Sequence, residues 1–301
     1  MSNKLIVILG PTAAGKSTLA VKLAKKFNGE IISADSRQIY KEMDIGTNKI
    51  KVKETSGIRH HLLGILPPDK SFSSGEFQKK AVKQIKAVQK RNKIPFLVGG
   101  SPFYIYPVVE GWIFPKTKTN KAERKRLEKN TAAELWQKLK KLDPQRAKTI
   151  DKNNKRRLVR AIEIAEQLGK VPKLEKTPQF SCLIIGINPP KEELKERINE
   201  RVNKMIKAGL EKEVRRLVKK YGWTSALESI GYQEWKEYFE GKTKKEEVVE
   251  KIKKNTLQLA KRQMKWFKKP VLSKENKTIK IHWIKNIRQT EKLIKKFLKN
   301  K

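Results

Sequence analysis

Residues 4–17 read KLIVILGPTAAGKS, and this stretch constrains the fold more than any other. The apolar run Lys4–Leu9, rich in Ile and Val and halted by Gly10, reads as a buried parallel strand. Gly10 to Ser17 matches the G-x-x-x-x-G-K-S pattern, and Leu19, Leu23 and Phe27 continue behind it at helical spacing. Strand, glycine loop and helix in that order form the context a phosphate-binding loop needs. Gly10, Pro11, Thr12, Ala13, Ala14 and Gly15 turn backbone amides toward phosphate oxygens. The helix start at Lys16, Ser17 and Thr18 adds its dipole. Lys16 neutralises charge, and the Ser17 hydroxyl can hold Mg²⁺. The loop calls for a pyrophosphate-bearing ligand without saying which one.

The pattern downstream alternates strands with helices. Glu30–Ala34 and Ile94–Val98 read as further buried strands. Ser73 and Glu76 form a capping box opening a helix whose apolar stripe is Phe77, Ala81, Ile85 and Val88. Such alternation predicts an α/β fold, a P-loop doubly wound parallel sheet. After Gly111 the rhythm changes. From Lys121 to Leu168 the spacing is helical throughout, carried by Leu127, Leu135, Leu139, Leu142, Leu158, Ile162 and Ala165. Phe180–Ile187 and Ile279–Ile284 then restore strand patterns. The expected organisation is a first core part over 1–111, an all-helical insertion over 112–178, and a second core part over 179–301 with basic C-terminal helices.

The net charge is +41, which draws a chain toward polyanions. Lys far outnumbers Arg, as compositional bias would also produce, so the distribution is more informative than the total. Residues 1–110 carry 19 basic and 8 acidic side chains, leaving 53 and 23 for the remainder. The net charge is therefore +11 and +30, and polyanion contacts are expected mainly in the later part. A single cysteine, Cys182, excludes an internal disulfide and reads as a buried structural thiol. Lys4–Leu9 runs straight into the loop motif with no signal segment before it, and no apolar stretch approaches the roughly 20 residues of a membrane span. A cytoplasmic monomer without membrane contact is expected.

An NTPase or kinase would place an Asp at the end of a hydrophobic strand to help bind Mg²⁺. Ile94–Val98 ends in Gly99-Gly100-Ser101 instead, which argues against ATP hydrolysis. Asp35, after the second strand, is the acid best placed near the loop; taken alone it could equally cap a turn. Arg197, Arg201 and Lys204 form a basic helix face opposite Leu194, Ile198, Val202 and Met205, either a phosphate track or a solvated surface. Lys261 and Arg262 beside Trp266 and Phe267 allow the same two readings. Adjacent His60 and His61 suit no helical or strand metal spacing.

With these residues read, the chain resembles the tRNA dimethylallyltransferase (tRNA isopentenyltransferase) family. The resemblance is carried by GPTAAGKST, Asp35-Ser36-Arg37-Gln38-Ile39-Tyr40, Met43-Asp44-Ile45-Gly46-Thr47 and Leu97-Val98-Gly99-Gly100-Ser101. It continues through Arg157-Leu158-Val159-Arg160-Ala161, the Arg197/Arg201/Met205/Gly209 spacing, Ile230-Gly231-Tyr232 and Ala260-Lys261-Arg262-Gln263. It implies that the loop holds the pyrophosphate of dimethylallyl pyrophosphate and that Asp35 is the base at the exocyclic amine of the adenine 3′ of the anticodon. Ser101 would lie beside the reacting centre. Contacts to the tRNA anticodon stem-loop would come from Asp35, Ser36, Arg37, Gln38 and Ser101, and in the insertion from Arg124 and the stretch Arg156, Arg157, Leu158, Val159, Arg160. Arg197, Arg201, Lys261 and Arg262 would add to them. Ser17 and Ser101 stand where Thr is commoner, Gly64 where Asp is usual, and Ile50 where Pro is usual. Three rivals remain: a small-molecule kinase, an enzyme modifying free adenine nucleotides, and a non-catalytic RNA-binding module. The missing strand-end Asp, the basic insertion, and Lys16, Ser17 and Asp35 standing together oppose them in turn.

Overall fold

A computed structural model describes residues 3–118, 120–269, 271–272 and 278–300, with Lys121, 271–272 and 278–279 described in backbone only. The chain forms two compact units, Met1–Gly111 with Thr177–Lys301, and Trp112–Lys176.

The larger unit begins with β1 (Lys4–Leu9), α1 (Lys16–Lys26), β2 (Gly29–Ser33), β3 (His60–His61), α2 (Ser74–Lys90), β4 (Ile94–Gly99) and α3 (Pro102–Glu110). The smaller unit contributes β5 (Trp112–Ile113), α4 (Lys121–Lys129), α5 (Ala132–Leu142), α6 (Pro144–Thr149), α7 (Lys155–Leu168) and β6 (Glu175–Lys176). The larger unit resumes with β7 (Ser181–Gly186), α8 (Lys191–Lys207), α9 (Leu210–Tyr221), α10 (Lys236–Phe239) and α11 (Lys245–Phe267). It ends with β8 (Val271–Leu272), β9 (Thr278–Ile279), β10 (Ile281–Trp283) and α12 (Ile287–Lys299). Among the described residues, no helix is long and apolar enough to cross a membrane.

Six strands make one sheet in the order β10-β7-β1-β4-β2-β3, and every adjacent pair is parallel. Strand β1 lies inside the sheet, between β7 and β4, and its side chains from Leu5 to Leu9 are fully buried. A strand covered on both faces must be apolar at every position, which is why its sequence is a continuous run and not an alternation. Helix α2 opens on the Ser73–Glu76 capping box and buries Phe77, Ala81, Ile85 and Val88. The last strand differs from the single run expected over Ile279–Ile284. Thr278–Ile279 pairs antiparallel with β8, whereas Ile281–Trp283 runs parallel to β7, so the chain changes partner at Lys280. Cys182, expected to be buried, is a half-buried free thiol near the start of β7, and desolvation pushes its pKa up to about 12.

A buried carboxylate lies in β2. Glu30 accepts from Arg91 at 2.6 Å and meets His61 at 2.7 Å and Lys93 at 3.2 Å. Burial pushes its pKa up, but Arg91, His61 and Lys93 outweigh it and hold the group at about 2. The second histidine of the adjacent pair therefore serves the sheet.

The smaller unit is not all-helical as expected: β5 and β6 pair antiparallel and bring its two ends together. Leu127, Leu135, Leu139, Leu158 and Ile162 fill its core, while Leu142 stays 36% exposed. The buried Glu163 accepts a two-pronged bond from Arg124, at 2.8 and 2.7 Å, and a third from Arg160 at 3.1 Å. Arg160 also donates to Thr117 Oγ1 at 2.8 Å. Leu158 and Val159, expected at the RNA, are buried at 0% and 3%. Their side chains are part of the packing between helices and cannot face a ligand. Arg156 and Arg157 are exposed.

Candidate active site

The phosphate loop is shaped by three unusual backbone positions. Gly10 has φ 153°, and a Cβ there would stand 2.5 Å from the Ile187 carbonyl oxygen, so only glycine lets the loop leave β1 beside β7. Ala13 and Gly15 have φ 61° and 84°, and Gly15 is the N-cap of α1. Left-handed turns of this kind point successive amides inward, and the helix start adds positive potential.

Lys16 curls over the loop and donates to the Pro11 carbonyl at 2.6 Å. Burial is the main cause that lowers its pKa to about 8; nearby Asp35 opposes the shift and Arg201 adds to it. The Arg201 guanidinium is also lowered by burial, with Asp35 opposing. It donates to Thr12 Oγ1 at 3.0 Å and to the Thr47 carbonyl at 3.2 Å. Two half-buried cations lining one cleft, with the carboxylate of Asp35 near both, are suited to receiving an anion. The cleft measures about 430 Å³, and Ser17, Thr18, Asp35, Gln38, His60, Leu63 and Gly100 are among its lining residues. Arg197, Glu200 and Lys204 line it as well. Arg197 is paired to Glu193 at 2.5 Å. The His60 ring meets the Ile58 carbonyl at 2.8 Å, and burial lowers its pKa.

Asp35 follows β2. Its Oδ1 accepts from the amides of Arg37 at 2.8 Å and Gln38 at 3.3 Å, which closes the turn, while Oδ2 takes neither bond. Turn cap and available carboxylate oxygen are thus compatible in one side chain. Ser101 Oγ accepts from the Ser36 amide at 3.1 Å and donates to Ser36 Oγ at 3.3 Å, so the ends of β2 and β4 are tied together beside Asp35. Gly99 makes that approach possible, since a Cβ there would lie 2.1 Å from the Ala34 carbonyl oxygen. Arg37 donates to the carbonyls of Ser225 and Ala226, and Gln38 to those of Thr47 and Asn48.

Two residues absent from the sequence-derived set organise the cleft. Gln263 accepts from the Thr12 amide at 2.8 Å and donates to the Gly100 carbonyl at 2.8 Å, linking the phosphate loop to the end of β4. Glu213 accepts from the amides of Asp44, Ile45 and Gly46 and from the Tyr232 hydroxyl, at 2.7 to 3.1 Å. It thereby holds the Asp44–Thr47 loop whose last carbonyl takes Arg201. Gln263 sits in the AKRQ stretch, where the neighbouring charges drew attention to Lys261 and Arg262. Both of those are exposed. Glu213 gave no signal, because a lone Glu on an amphipathic helix looks like a solvated one.

Among the described residues, no group of three or more His, Cys, Asp or Glu could hold a metal by itself. Ser17 is exposed in the cleft mouth at the first turn of α1. One hydroxyl beside a phosphate cradle fits Mg²⁺, which takes one or two protein oxygens and completes its shell from phosphate and water.

A parallel α/β sheet with a phosphate loop after its central strand, and a carboxylate facing that loop, defines a P-loop enzyme that handles a phosphorylated ligand. The family model described as IPP transferase matches residues 38–270. A tRNA dimethylallyltransferase of Caldanaerobacter subterraneus is 43% identical over 284 residues, covering 89% of this chain and 90% of that protein. One from Staphylococcus epidermidis is 40% identical over 299 residues, covering 95% and 88%. Among solved structures, the tRNA isopentenylpyrophosphate transferase of Bacillus halodurans superposes with a TM-score of 0.72 at 35% identity, covering 99% of this chain and 96% of that one. A eukaryotic dimethylallyltransferase acting on tRNA gives 0.77 at 30% identity, covering 89% and 70%. The chain belongs to the IPP transferase family.

Proposed function

We propose that this protein transfers the dimethylallyl group of dimethylallyl pyrophosphate to the exocyclic amine of the adenine 3′ of the anticodon in tRNA, releasing pyrophosphate. The observation that carries the reading is one cleft holding a phosphate cradle, two half-buried cations and a carboxylate with an uncommitted oxygen. The loop amides, Lys16 and Arg201 bind the donor's pyrophosphate and stabilise the charge that grows on it as the allylic C–O bond breaks. An adenine amine is a weak nucleophile because its lone pair is delocalised into the ring. Asp35 Oδ2 accepts one N–H proton as the new C–N bond forms, so the proton stays on the carboxyl and the electron pair leaves with pyrophosphate. Mg²⁺ held by the Ser17 hydroxyl and donor oxygens would add charge neutralisation at the leaving group. Ser101, through Ser36, keeps the turn bearing Asp35 in place.

The acceptor base lies inside an RNA loop, so it must swing out of its stack to meet Asp35. The helical insertion, taken as residues 112–178, grips the anticodon stem-loop through its exposed Arg156 and Arg157. Arg124 and Arg160 support that surface through Glu163, and Lys261 and Arg262 bind phosphates on the larger unit. The deciding experiment incubates labelled donor separately with tRNA, AMP and ATP. Label entering tRNA alone supports the reading; label on a free nucleotide, or on nothing, refutes it.

A further inference from the structure

Helix α3 has one anomaly. From Pro102 to Glu110 every side chain is buried except Phe103, which is 44% exposed. Its ring stands edge-on to Trp266, with centroids 4.8 Å apart. The Lys269 ammonium lies 4.3 Å from the centre of the indole. This aromatic pair is firmly seated. The Trp266 carbonyl accepts the Tyr106 hydroxyl at 3.0 Å. One helical turn earlier, Gln263 bonds the Gly100 carbonyl and the Thr12 amide. Phe103 itself follows Ser101 by two residues, so both rings are fastened to the two segments that form the cleft wall.

The surroundings select the occupant. Lys261, Arg262, Lys265, Lys268 and Lys269 are all exposed, and no acidic residue occurs between Glu250 and Glu275. Aromatic faces set among cations are the means by which proteins hold unpaired nucleobases, since every base offers a π-face and every nucleotide a phosphate. We propose that Phe103 and Trp266 form a stacking platform for an unpaired base that neighbours the acceptor adenine in the RNA. The proposal rests on the reaction given above. Swinging the acceptor into the cleft toward Asp35 strips its neighbours of a stacking partner. A ring two residues beyond Ser101 and braced on Trp266 replaces that partner on one side, which keeps the loop open while transfer proceeds. Phe103 is thus a positioning residue that acts through the RNA and touches no reacting atom.

The test measures binding of anticodon stem-loop RNAs by fluorescence anisotropy without donor. The RNAs are intact or abasic at either neighbour of the acceptor adenine, and the proteins are wild type, Phe103→Ala and Phe103→Trp. Losing one stacked base should weaken binding of intact RNA by Phe103→Ala about tenfold, while Phe103→Trp stays within about twofold of wild type. An abasic residue at one neighbour should weaken wild type by a similar factor, with no further loss in Phe103→Ala. The donor KM should be the same in all three proteins. Normal binding of intact RNA by Phe103→Ala, or losses that simply multiply at both neighbours, overturns the proposal. Wild-type transfer to the intact stem-loop is followed in parallel. Its absence would refute the proposed reaction, whereas anisotropy reports on the platform independently.

Discussion

Burial disfavours the charge on Lys16, and Lys16→Met should expose the cost. The pKa of Lys16 falls from 10.5 to about 8, chiefly through burial. A drop of that size would correspond to roughly 3 kcal/mol of disfavoured charge were the site dry. Water reaching the open cleft screens part of this, and Met also forfeits the bond to the Pro11 carbonyl, about 1 kcal/mol. Met keeps the length and removes the charge, so the variant should be more stable by about 1–2 kcal/mol at pH 7. The pH dependence gives a second signature. The folded pKa lies below the unfolded one, so the penalty is fully present below about pH 8 and fades as pH rises toward 10.5. The variant's advantage should shrink over that interval. Urea unfolding of both proteins in phosphate-free buffer at pH 7, 8 and 10 measures it. Adding pyrophosphate should reverse the order, because the wild type, with Lys16 beside the loop amides and Arg201, gains more binding free energy than the variant. A variant less stable than wild type at pH 7, or a difference independent of pH, would refute the burial argument.

Asp35→Asn retains the turn bonds through its amide oxygen but cannot take a proton, so single-turnover transfer should fall by about 10²–10⁴ with donor affinity within about tenfold; a loss of donor affinity restored by added Mg²⁺ would make Asp35 a metal ligand instead. Replacing Arg156 and Arg157 together by Gln should weaken several tRNAs alike and flatten the salt dependence of binding by about 0.7–0.9 per lost phosphate contact, and an unchanged slope in folded protein would take this surface out of the interface. Gly99→Ala forces a methyl group against the Ala34 carbonyl, which should cost about 1–3 kcal/mol in urea unfolding and separate Ser101 from the Asp35 turn; wild-type stability and transfer would contradict the packing described here.

The local elements were legible in the sequence because each is dictated by neighbours along the chain. A continuous apolar run must be a doubly covered strand, and Gly10 and Gly15 at their spacing must form a phosphate loop. Asp35 was legible for a related reason, since a polar residue at the end of a buried strand in a parallel sheet reaches the edge where ligands bind. Roles that depend on distant partners were not. Arg201 reads as one of several charges on an amphipathic helix, and only the fold turns it onto Thr12 and Thr47. Arg124 reads as a charge for RNA, yet its guanidinium grips Glu163. Gln263 stands in a motif of the resemblance with no role attached to it, yet it joins two loops more than 160 residues away along the chain. A side chain's period along a helix tells which face it occupies. What that face meets is decided by packing between segments far apart in sequence, and there the charge or amide finds the partner that defines its role.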